Sequence, residues 1–163
     1  MIQQPNHRYG PGSRDRLALA GTPTADGARA ALESFYYALN HRDPDVLAQV
    51  WSNHPLVQLN NPLGGILRGH DTVCAVYDRI FRGPLRLRIT FSDIVEYLHT
   101  THAVFAGREL GAYTTRDGHD VPLEIRTTRY FRYTDDHRWR QFHHHGSIDD
   151  PQALRAYQDA ARG

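Results

Sequence analysis

The chain has 163 residues, 40% of them hydrophobic and 23% charged, which suits a single globular domain with one core and excludes a disordered polymer. Its 19 basic and 18 acidic residues are interspersed and leave a net charge of +1, so no basic face points to nucleic acid or to an anionic membrane. The single cysteine, Cys74, can form no internal disulfide and reads as a small core residue of a helix.

Residues 1–24 carry prolines and glycines with little apolar periodicity and are expected to form a flexible arm, with one domain over 25–163. Thr24 or Asp26 can cap a helix through ARAALESFYYALNHR, where Ala31, Leu32, Phe35, Tyr36 and Leu39 share one face. Asp43, Pro44 and Asp45 open a short second helix, DPDVLAQVW, since proline suits a first turn and acidic groups suit the positive end of the helix dipole. A short strand LVQLNN, the turn PLGG, a second strand GILRG and a third helix HDTVCAVYDRIF follow, the last stopped by Gly83 and Pro84.

Beyond Pro84 four long alternating segments are separated by the turn signals HTTH, RDGHD and TDDH and read as successive antiparallel strands. A last helix begins at Asp149 or Asp150. Helices followed by a run of strands make an α+β fold, with helices on one face of a curved antiparallel sheet. The more apolar strand faces, Leu85, Leu87, Ile89 and Phe91, then Ile125, Thr127, Arg129, Phe131 and Tyr133, should face the helices, which aims one charge, Arg129, inward. No stretch approaches the roughly 18 apolar residues of a membrane span and no secretion-type apolar run precedes the fold, so a cytoplasmic protein is expected.

Three stretches carry a family resemblance: SFYYALNHRDPDVLAQVW, LNNPLGGILRGHDTVCAVYDRIF and RYFRYTDDHRWRQFHHHGS, within residues 26–150. The chain resembles the NTF2-like superfamily, in particular its SnoaL-like and ketosteroid-isomerase-like branch. The closing strand is also similar to that of the association domain of calcium/calmodulin-dependent kinase. The resemblance implies an NTF2-like cone, a curved sheet wrapped around three N-terminal helices and enclosing a pocket, but not one activity. Where steroid isomerases carry an oxyanion-hole tyrosine this chain has Phe35; the base falls on Asn61 and the second oxyanion-hole acid on Arg129. All three are replaced, so that mechanism is not expected.

The same register puts Phe142, His144 and Gly146 inside and Trp139, Gln141, His143 and His145 on the convex face, where the family builds a dimer; a homodimer is therefore expected. Arg129 matches a pocket arginine of the kinase association domain, while Glu109 and Gly146 stand where two others would be. The catalytic candidates are His144, Glu109 and Arg129, and the candidate ligand-binding residues are Phe35, Tyr36, Trp51, His54, Asn61, Phe105, Phe131 and Phe142. Arg129 and Glu109 can equally form a structural pair, because an unpaired buried charge is costly.

Three functions stay open. The protein catalyses acid/base chemistry on a hydrophobic carbonyl compound, binds a small organic acid through Arg129, or serves as a dimerisation module without a ligand. No phosphate loop, dinucleotide fingerprint or Cys/His metal spacing occurs, so neither a cofactor nor a metal is expected.

Overall fold

The computed structural model describes residues 1–162. Helix α1 (Ala25–His41) starts at Thr24, whose hydroxyl accepts from Gly27 N–H, and α2 (Pro44–Val50) starts at Asp43, whose carboxylate accepts from Asp45 and Val46 N–H. Strands β2 (Gln58–Asn60) and β3 (Leu67–Arg68) form a short hairpin before α3 (His70–Arg82). The long strands are β4 (Arg86–Leu98), β5 (His102–Thr114), β6 (Asp120–Thr134) and β7 (Arg138–Ser147). Helix α4 (Pro151–Arg162) is capped by Asp150, whose carboxylate accepts from Gln152 and Ala153 N–H at 2.7 Å. Among the described residues no helix is long and apolar enough to cross a membrane.

With the N-terminal strand β1 (Ile2–Gln3) the sheet has seven strands in the order β1-β4-β5-β6-β7-β2-β3. Its neighbours are antiparallel, as expected, except that β2 runs parallel to β7. One inner row of side chains crosses five strands in register: Leu59, His144, Arg129, Phe105 and Glu96, all buried. Helix α1 lies over this face and buries Leu32, Phe35 and Tyr36 completely.

Two bulges bend the sheet, one between Ser92 and Val95 in β4 and one that leaves Phe142 of β7 without a partner, since Tyr130 pairs with His143 but Phe131 pairs with Gln141. The second corrects the expected faces of β7. An extra residue reverses the alternation, so Trp139 and Gln141 point inward with 1% and 0% exposure, and His144 and Gly146 also point inward. Phe142 moves to the outer face, where it meets the Tyr130 ring at 6.4 Å and lies beneath the Arg132 guanidinium.

Residues 1–24, expected to be a loose arm, are docked: the first nine run along the outer edge of β4, and residues 14–22 bond to α1, β6 and β7, with Arg16 N–H donating to Ser34 Oγ at 2.8 Å and Tyr133 and Trp139 donating to Gly21 O and Thr22 O. Ile2 and Gln3 pair with Tyr97 and Glu96, and Tyr9 exchanges two backbone hydrogen bonds with Phe91 and is buried. The anchor is electrostatic: Glu96, fully buried, accepts from Arg29 at 2.8 Å, from Gln3 at 2.9 Å, and contacts the His7 ring at 3.2 Å. Burial alone would raise the Glu96 carboxyl, but the hydrogen bonds from Arg29, Gln3 and His7 hold it below the usual carboxylate range.

Candidate functional site

Strand alternation aims Arg129 of β6 at the helices, and α1 answers with a tyrosine and a phenylalanine at adjacent positions. The guanidinium is 1% exposed. Its Nη2 donates to Glu109 Oε1 at 2.7 Å, its Nε to the Tyr36 hydroxyl at 2.9 Å and its Nη1 to Gln141 Oε1 at 3.3 Å. Tyr36 in turn donates to Glu109 Oε1 at 2.6 Å. Below the guanidinium plane lies the Phe35 ring, 3.6 Å from Cζ to the ring centroid, a cation–π contact in a desolvated site.

The charges are therefore balanced inside the protein, although the amide nitrogen of Gln141 is left without a partner among the described residues. Burial on its own would lower the Arg129 pKa, but the surrounding Tyr36, Glu109 and Tyr77 raise it above the ordinary value, so the side chain stays charged. Burial, more than its charged neighbours, pushes the Tyr36 phenol well above the usual tyrosine range and keeps it a neutral donor.

His144 differs. It sits directly across from Arg129 on β7 and is 4% exposed, yet neither ring nitrogen finds a hydrogen-bond partner among the described residues. Burial, reinforced by the Arg129 charge, lowers its pKa well below 6.5, so the ring is neutral, with one nitrogen a donor and the other an acceptor. Gly146 makes room for it: a Cβ there would stand 3.1 Å from His144 Nε2 and 3.0 Å from the Ile125 side chain.

Phe35, Asn61, Glu109, Arg129 and His144 line one internal chamber of about 40 Å³. Five of the expected site residues thus come together. Tyr36 is bonded to the same cluster from behind. Phe105 and Phe131 are fully buried and pack edge to face at 5.8 Å in the core without lining the chamber. Trp51, His54 and Phe142 lie elsewhere, around an external groove of about 640 Å³ at the end of α2, with Phe142 carried there by the bulge.

Sequence reasoning missed Tyr77 of α3 and Tyr157 of α4. Both line the chamber, and Tyr77 meets the Phe35 ring at 5.8 Å. Tyr77 has a visible signal, since Val73, Val76, Tyr77 and Phe81 repeat at helical spacing and are all buried. Tyr157 is the one aromatic, and the one buried residue, of α4.

A family model described as a SnoaL-like domain matches residues 28–151. No curated protein matches the chain. Among solved structures, a candidate calcium/calmodulin-dependent protein kinase type II association domain from Thiobacillus denitrificans is 28% identical, with a TM-score of 0.60 over 75% of this chain and 94% of that one. A candidate dehydratase of the NTF2-like family from Streptomyces avermitilis is 20% identical, with a TM-score of 0.66 over 75% and 94% of the two chains. A ketosteroid isomerase-like protein from Erwinia carotovora atroseptica is 16% identical, with a TM-score of 0.65 over 85% and 99%. The last two likenesses are ones of fold.

The closed geometry around Arg129 leads to a stability prediction. Arg129→Met leaves the Glu109 carboxylate buried with Tyr36 as its remaining donor and should destabilise the protein by about 3 to 5 kcal/mol. Adding Glu109→Gln should recover most of that loss, because the stranded charge is gone. Urea unfolding midpoints of the single and double variants measure this coupling; additive losses would mean that the two groups do not act as a pair.

Proposed function

The chain belongs to the SnoaL-like domain family, and we propose that its cone holds a small, mainly apolar compound bearing one neutral oxygen function, a carbonyl, enol or phenol, with His144 as its proton partner. The observation that carries this is a buried neutral histidine that lines the chamber and whose two ring nitrogens have no partner among the described residues. Trp51 Nε1, Asn60 Oδ1, Thr127 Oγ1 and Gln141 Nε2 are also buried without a partner among the described residues, but of these groups only His144 lines the chamber, and a buried polar group without a partner is costly. A neutral imidazole can take a proton from a carbon acid or hold a hydroxyl, and the Arg129–Glu109 pair beside it supplies a fixed dipole that costs no reorganisation during reaction. A carboxylate ligand is disfavoured at this depth, because Arg129 is already neutralised by Glu109 and a second anion would face the Glu109 charge.

Calorimetry with 2-naphthol and 2-naphthoate, which share a ring system and differ in charge, separates the readings. The phenol should bind more tightly than the carboxylate, and His144→Phe should weaken phenol binding about tenfold, the worth of one buried hydrogen bond. His144→Gln, which restores a donor and an acceptor, should recover part of it. Tighter binding of 2-naphthoate, lost in Arg129→Met, would favour the acid-binding function instead.

We further propose that the convex face buries against a second copy of the chain. With Trp139 and Gln141 inside the protein, that face includes Tyr130, stacked on His102 at 6.1 Å, the partly buried Phe142, and the outward His143 and His145, beside charged groups such as Arg126 and Arg132. Aromatic groups gathered on an otherwise polar sheet face suit a two-fold contact. Sedimentation should give a dimer at micromolar concentration and a shift toward monomer for Tyr130→Glu; a monomeric wild type would contradict it.

A further inference from the structure

Outside the chamber, a cleft of about 370 Å³ opens between the Asn61–Leu67 turn, α3, the Pro84 corner and α4. Asn61 and Ile80 line both spaces, so the cleft and the chamber share a wall. Helix α4 borders both as well. Tyr157 lies in the chamber while Gln158 and Ala161 face the cleft, and Gln158 fastens the helix to the turn by donating to Pro62 O at 2.9 Å.

The floor of the cleft is apolar, formed by Leu63, Leu67, Val76, Ile80 and Leu85, and its lining contains no carboxylate side chain. Its mouth is positive. Arg79 and Arg162 line it directly, and Arg42 and Arg86 lie next to it, donating to the carbonyl of one lining residue, Gly83 O, at 2.9 and 2.7 Å. Among the described residues no carboxylate forms an ion pair with Arg42, Arg79 or Arg86, whereas Arg82, one residue from this rim, is paired with Asp78 at 2.9 Å. Burial and the neighbouring Arg86 charge pull the Arg42 guanidinium below its ordinary value, a sign that the two cations feel one another.

We infer that the cleft is the outer half of the same binding site and that it takes an amphiphilic anion. The apolar body lies on Leu63, Ile80 and Leu85, the negative terminus stays at the mouth with Arg79, and the opposite, uncharged end points toward His144. The inference rests on the proposed chamber function for its inner end only. It also fits the division of charge, since a negative group is unwelcome beside Glu109 but is attracted by Arg79 and Arg162 at the rim, neither of which has an ion-pair partner among the described residues. Asn61 and Ile80 form the wall that such a molecule has to pass to reach from cleft to chamber, so these two side chains have to shift for full entry.

Two dyes with one apolar body test this: 8-anilinonaphthalene-1-sulfonate and its uncharged relative N-phenyl-1-naphthylamine, titrated by fluorescence at low ionic strength. Arg79→Glu should weaken the sulfonate by roughly fivefold and leave the uncharged dye unchanged, with Arg79→Ala intermediate. Added salt should weaken only the sulfonate. Arg79 is exposed, so the variants should melt like wild type. Equal losses for both dyes, or no change for either, would overturn the inference. If 2-naphthol fails to bind while the Arg79-dependent difference persists, the chamber function falls and the anion site stands; binding of 2-naphthol without that difference leaves the chamber and removes the anion site.

Discussion

Everything around the cone follows from burying one guanidinium at the centre of the sheet. Arg129 lies on the inner face of β6 because alternation allows nothing else at that position, and a charge there has to be answered locally. Glu109 supplies the countercharge from β5, Tyr36 and Gln141 take the other donors, and Phe35 presents its ring face to the cation. The partners come from three elements, α1, β5 and β7, so this cluster fixes how the helix sits on the sheet. Such a pair is not by itself a source of stability, since desolvating both charges offsets much of their attraction; its worth is that disturbing one member is expensive.

The same closure defines what is left for a ligand. With Arg129 and Glu109 satisfied by one another, His144 is the buried chamber group with both ring nitrogens unpartnered among the described residues. Its neutrality has a thermodynamic consequence. In the unfolded chain the ring takes a proton near its ordinary pKa of about 6.5, while in the fold it does not, so protons favour unfolding. Stability from this group is intact above that pH and is lost progressively as the pH falls below it.

The order and boundaries of the helices are legible in the sequence because their signals are local: Thr24, Asp43 and Asp150 cap the helices they precede. The inward aim of Arg129 is legible from period-two alternation on β6, and a structural pair with Glu109 is one of the two alternatives the sequence leaves open. The faces of β7 are not legible, because a bulge depends on how β6 and β7 pair and leaves no mark in WRQFHHHGS itself. That one residue exchanges Phe142 for Trp139 and Gln141 on the inner face. The first 24 residues escape a search for apolar periodicity because hydrogen bonds and the buried Glu96 hold them, and that partner lies about 90 residues away in sequence. Tyr157 is missed for the opposite reason: a lone aromatic in a polar helix carries no periodic signal until α4 is seen closing the cone.

The central claim is that a neutral, unsatisfied His144 is the working group of the cone, and ring nitrogen NMR on histidine-labelled protein tests it most directly. A pH titration downward from 8 should keep the His144 nitrogens at neutral-imidazole shifts through pH 6.5, and adding 2-naphthol should move them while the rings of exposed histidines stay put. A His144 that protonates with an ordinary midpoint near 6.5, or that ignores the phenol, would contradict the account.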